Sequence, residues 1–258
     1  MSWLLRTGVT VAVLLLLWAL LVAATGAPPY ILPGPLRVTA AWIANWPLLL
    51  SQAGVTLLEI VLGLLLGTLL GCAAALVVGS SRLLGRWLMP VLVISQAVPV
   101  FAIAPLLVLW LGYGIASKVA MATLIIFFPV SAAFLDGLRR TEPGWLDLAR
   151  TMTAAQPGRQ WAVLRHIRIP AALPALASGL RIAAATAPIG AVVGEWVGSS
   201  AGLGYLMLHA NGRMQTDLMF AALLTLAVMA VTLYFGVDRI LRAALPWQPE
   251  TLPSDQRS

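Results

Sequence analysis

At 258 residues, 60% of them hydrophobic and only 10% charged, the chain carries too little charge for a soluble domain, where about a quarter of residues are charged. Its mean hydropathy of +0.94 and its apolar runs of bilayer-spanning length mark an integral membrane protein. The net charge of +7 does not point to nucleic acid, because the cations fall almost wholly in alternate loops, as in oriented membrane proteins.

Hydropathy predicts six spans: Val9–Ala24, Leu57–Val78, Leu88–Leu111, Val119–Leu135, Leu173–Val193 and Leu218–Leu241. The first, with Arg6 ahead of it and Ala23, Ala24, Gly26 and Ala27 behind, also has the look of a signal peptide. Pro28, Pro29, Pro33 and Pro35 then force an extended linker. After it, Ala40–Leu50 places Trp42 and Trp46 four residues apart, which predicts a short helix lying in the outer membrane interface.

In the second span Gly63, Gly67 and Gly71 recur every fourth residue on one helix face. Such spacing lets two backbones approach closely, either within the chain or across to a second copy. Pro90, Pro99, Pro105 and Pro129 interrupt the third and fourth spans, and each removes a backbone donor. That suits helices lining a path, or simply kinked ones.

Ionisable groups within spans are few. Glu59 and Glu195 lie near span ends, where water reaches them, and so read equally as path groups or as structural caps. Gln96 is deeper; with Glu195, Ser199 and Tyr205 it forms the candidate substrate path. Gly194, Gly198, Gly202 and Gly204 predict an irregular or re-entrant segment after the fifth span. The lone Cys72 has no partner for a disulfide or a metal site. No phosphate-cradling loop or nucleophile elbow is present, so no catalytic site is expected on this chain.

Between the fourth and fifth spans runs a long arginine-rich loop, residues 137–170. Twelve cations, from Arg6, the 80–86 turn, this loop and the C-terminal tail, fall on one side of the membrane. Arg37, Lys118 and Arg213 fall on the other, and Arg181 lies within the fifth span. The asymmetry predicts a cytoplasmic loop and cytoplasmic termini. In the loop Leu146, Ala149 and Met152 recur at three-residue spacing and give a short helix one weakly apolar face, with Arg150 pointing elsewhere. Pro157-Gly158 breaks that helix. A partner-docking helix and a solvated basic loop beside anionic lipid both fit these residues.

The loop resembles the cytoplasmic signature of binding-protein-dependent ABC importer permeases: E-A-A, three residues, G, nine residues, I-x-L-P. Asp147-Leu148-Ala149 matches the opening and Ile167-Arg168-Ile169-Pro170 the close. The spacing is 24 residues where the pattern has 20; Thr153 holds the glycine position, and Gly158 stands where a displaced turn would fall. The run from Gln96 to Gly114 and the run Ala187–Met207 resemble the nitrate/sulfonate/taurine branch, the second run looking most like members that import thiamine-pyrimidine precursors.

The resemblance implies an all-α fold of six transmembrane helices, of the type I importer kind, with a coupling helix. It implies three parts: residues 1–56, a permease domain over 57–241, and a tail over 242–258. The coupling residues would be Leu146, Asp147, Ala149, Arg150, Met152, Thr153 and Gly158. The partners would be an ABC ATPase carrying the ATP and Mg, a periplasmic or lipid-anchored substrate-binding protein, and a second permease copy, in a bacterial inner membrane. The solute would be a thiamine-pyrimidine precursor, with sulfonate, taurine, nitrate or a riboflavin-like compound as alternatives.

Overall fold

The computed structural model describes residues 3–80, 83, 85–87, 89–90, 94, 98–152 and 159–248, and they are helical or in short turns. In chain order the helices are α1 (Trp3–Thr25), α2 (Pro35–Ala44), α3 (Trp46–Ser80), α4 (Val100–Leu111) and α5 (Ile115–Arg139). After these come α6 (Pro143–Met152), α7 (Arg159–Val163), a π-helical turn (Leu164–Arg168), α8 (Ile169–Gly198), α9 (Leu203–Gly212) and α10 (Thr216–Ala244).

Five helical stretches among the described residues are long and apolar enough to cross a membrane: Gly8–Thr25, Trp46–Ser80, Ile115–Arg139, Trp161–Gly198 and Thr216–Ala244. The expected third span, Leu88–Leu111, is represented by the shorter α4, because Pro99 starts a new helix there. Most of 88–97, including Gln96, lies outside the described residues.

Two further expectations change. The interfacial helix over Ala40–Leu50 is instead divided at Asn45, whose φ of −109° and ψ of 16° end α2 before Trp46 opens α3. Trp42 donates its indole N–H to Thr225 of α10 at 3.0 Å and packs 4.6 Å, ring to ring, from Trp46, so α2 is fastened onto the bundle. The irregular segment after the fifth span shrinks to residues 199–202: Gly194 and Gly198 belong to α8, and Gly204 to α9.

The bundle is built around α5, packed between α3 and α8. On α3 the glycines face α5: a Cβ on Gly63 would collide with Ala122, and one on Gly67 would sit 2.6 Å from the Ile126 Cγ2. Close approach of this kind trades side-chain volume for backbone contact, the main attraction open to helices in lipid. A core of Ile60, Ala122, Ile126, Val130, Ala183, Ala187 and Ala191 fills the seam between the three helices. At one end of this bundle lie α6 and the π-turn; at the other lies α9.

Candidate functional site

At the α6 end, the chain leaves α5 at Arg139, turns through Thr141 and Glu142, and re-enters a helix at Pro143, a residue whose fixed φ suits a first helical turn. The helix is apolar along one face, where Trp145, Leu148, Ala149 and Met152 stand at i, i+3, i+4 and i+7. Trp145, Leu148 and Met152 are exposed by 55%, 60% and 73%, whereas Ala149, in the middle of that face, is buried at 4% exposure. Leu146 lies on the flank, half-buried. Asp147 is on the exposed surface, and Arg150 falls in the helix, while Thr153 and Gly158 lie outside the described residues. The Leu146–Ala149–Met152 spacing therefore finds the helix and one exposed apolar residue, Met152, but misses Trp145 and Leu148.

Beside that face is a concave site of about 760 Å³. Its walls are α6 (Trp145, Leu148, Met152), the π-turn (His166, Ile167) and the C-terminal turn at Trp247. Arg140, Glu142 and Gln248 add polar groups to the same lining.

The floor of this region is tied to the spans by Arg168. Its guanidinium donates to the Leu138 carbonyl at 3.0 and 3.3 Å and to the Gly79 carbonyl at 3.5 Å. Those carbonyls belong to the last turns of α5 and α3, where a cation meets the negative end of the helix dipole. A π-turn at Leu164–Arg168 aims the side chain there; such turns insert one extra residue per turn and re-aim the helix face. The sequence passes over Arg168 because it occupies a variable place in the I-x-L-P close.

At the α9 end the side chains are polar and dry. Glu195 is 1% exposed, and its carboxylate accepts the Thr56 hydroxyl at 2.6 Å and the backbone N–H groups of Gly204 and Tyr205. The Thr56 oxygen accepts the Leu203 N–H at 2.8 Å, and the Gln52 side-chain oxygen accepts the Gly202 N–H at 2.6 Å. Four N–H groups at the start of α9, which no helical carbonyl can serve, thus all find acceptors on α3 and α8.

Lys118 of α5 lies 3.2 Å from the Glu59 carboxylate, their side chains 8% and 0% exposed. Lys118, assigned to an outer loop by hydropathy, is therefore inside a helix and buried. Glu59 and Glu195, expected within reach of water, are both buried. Ser199 bonds only locally, to both backbone groups of Ala201, and Tyr205 meets His209 edge to face at 4.1 Å. Among the described residues no group of three or more His, Cys, Asp or Glu side chains could hold a metal ion.

The pattern for binding-protein-dependent transport system inner membrane components matches residues 63–247. The chain belongs to this family.

It is 57% identical to a probable ABC transporter permease protein of Haemophilus influenzae, over 92% of this chain and 96% of that one. It is 38% identical to the riboflavin transport system permease protein RibX of Chloroflexus aurantiacus, over 93% of this chain and 89% of that one. It is 34% identical to the formylaminopyrimidine transport permease protein ThiX of Halalkalibacterium halodurans, over 91% and 92%. In fold it is similar to a chain of the inward-facing MetNI methionine ABC transporter, with a TM-score of 0.66 at 20% identity, covering 78% of this chain and 97% of that one. The chain is the permease component of an ABC importer, and family membership implies an ATPase and a binding protein as its partners.

Proposed function

We propose that this permease takes its drive through α6, whose Trp145–Leu148–Met152 face docks on the ATPase, and that it passes a thiamine-pyrimidine precursor inward. In this reading the α6 end and both termini are cytoplasmic, and the α9 end meets the binding protein outside. ATP and Mg bind and react on the ATPase. Two permease copies enclose the path between them, since one bundle of this size is too small to do so alone.

The observation that carries the docking is the outward placement of three large apolar side chains on a ten-residue helix, beside a groove. Burying a side chain such as Leu148 against a partner contributes about 1.5–3 kcal/mol. A push on α6 reaches α3 and α5 through the Arg168 contacts, so two states of the ATPase dimer favour two arrangements of the bundle. The solute class is supported by the relatives named for formylaminopyrimidine and riboflavin transport, both nitrogen heterocycles.

The test is co-purification of the tagged chain from its native membrane in mild detergent. An ATPase recovered near one to one, and lost from a Leu148→Asp variant that still inserts and folds, is the expected result. Undiminished recovery with Leu148→Asp would overturn the docking face. The co-purified binding protein is then titrated with pyrimidines, riboflavin and sulfonates; preference for a sulfonate would overturn the solute class.

A further inference from the structure

We infer that α9 is a lid over its end of the bundle, latched shut by Glu195. Three observations carry this. First, α9 is only ten residues long and hangs between two non-helical joints. One joint is residues 199–202, ending in Gly202 at φ +112°; the other is Arg213–Gln215, where Met214 holds φ +59°, a left-handed value rare outside glycine. A rigid helix between two such joints can swing without unwinding.

Second, its hydrogen bonds to the neighbouring spans are concentrated at one end. The N–H groups of Gly202, Leu203, Gly204 and Tyr205 all bond to Gln52, Thr56 and Glu195, whereas the other end closes on itself through Gln215 N–H to Ala210 O at 2.8 Å. Third, the latch is fitted to its bolt: a Cβ at Gly202 would run into both Glu195 carboxylate oxygens. Beneath it, Lys118 and Glu59 add a second buried charge contact linking α5 to α3.

The charge distribution explains why the latch can release. In the closed state the bonds of Thr56, Leu203 and Gly204 are buried, while those of Gly202 and Tyr205 are part-buried; once water enters, a carboxylate and four N–H groups are solvated at little cost. The lid is therefore stable closed and soluble open, with few intermediate arrangements. In its closed position Leu203 and Leu206 are buried against Val38, Leu49, Ala221 and Ala222, so lifting α9 exposes them.

The inference rests on the importer reading only for its trigger. The test uses the importer complex in lipid nanodiscs, carrying Leu203→Cys in a Cys72→Ser background. Labelling by a charged maleimide is followed at rest, with ATP and vanadate, and after adding Glu195→Gln, while ATP hydrolysis is recorded on the same samples. An amide has one acceptor oxygen where the carboxylate has two, so Glu195→Gln breaks one side of the latch. The expected result is slow labelling at rest, rising about tenfold in the variant, as for the loss of one hydrogen bond to a charged group. Vanadate trapping is expected to produce a comparable rise. Equal, slow labelling in all three conditions would overturn the lid, and continued ATP hydrolysis in that sample would leave the importer reading standing.

Discussion

Lys118 and Glu59 occupy a place where either charge alone would be untenable. With side chains 8% and 0% exposed, neither can reach water, and at 3.2 Å the ammonium meets the Glu59 carboxylate without the alignment of a hydrogen bond. Removing one partner strands the other, a loss of about 3–5 kcal/mol for a buried pair. Lys118→Met is expected to lower the unfolding midpoint of the detergent-purified chain markedly, and Lys118→Met with Glu59→Leu to restore most of it. A single variant melting with the unmodified chain would show that the pair bears no structural weight. Arg181 and Asp238, 2.6 Å apart and partly exposed, are a softer contact that Arg242 shares at 2.8 Å. Loss of Arg181 is accordingly expected to matter less in the same melt.

The glycine stripe of α3 and the apolar face of α6 show how an element's use depends on its neighbours. Gly67 is backed by Ile126, whereas Gly54 on the same helix has open space around it. Gly67→Leu is expected to separate α3 from α5 and to reduce folded yield, with Gly54→Ala as a neutral control; size-exclusion profiles and thermal melts compare them. Equal behaviour of the two would mean that the stripe is not a packing face. On α6, Ala149→Asp puts a charge at a buried position and is expected to loosen the helix itself, whereas Leu148→Asp, at an exposed position, leaves the helix seated and weakens its outer face. Limited proteolysis of residues 137–170 separates the two: faster cleavage is expected for Ala149→Asp only. Arg168→Gln keeps a donor but loses the charge at the α3 and α5 carbonyls. ATP hydrolysis is expected to continue in that variant while transport falls, and unchanged transport would remove Arg168 from the transmission.

At the scale of the whole molecule, hydropathy locates the spanning helices because lipid demands long apolar runs with internally satisfied backbones. It trims spans at polar residues, which is why Lys118 reads as a loop residue and why α3, which begins at Trp46 and carries Ser51, Gln52 and Thr56 in its first turns, reads as starting at Leu57. The Glu195 latch is invisible for a related reason: Thr56 and Glu195 stand 139 positions apart, and no local pattern records that contact. On α6 the period of 3.6 is plain and puts Trp145, Leu148, Ala149 and Met152 on one face, but only the folded chain shows that Ala149 is covered while the other three stay exposed. The family resemblance rests on the residues that open and close the loop and on the order of segments, neither of which depends on exact span boundaries.

Docking through the exposed side chains of α6 requires that Leu148, and not the buried Ala149, meet the ATPase. A photo-crosslinking amino acid placed at position 148, and separately at 149, in the complex within native membranes tests this directly. An adduct between permease and ATPase is expected from position 148 and none from the buried position 149. An adduct from 149 alone, or none from either position in a complex that hydrolyses ATP, would contradict it.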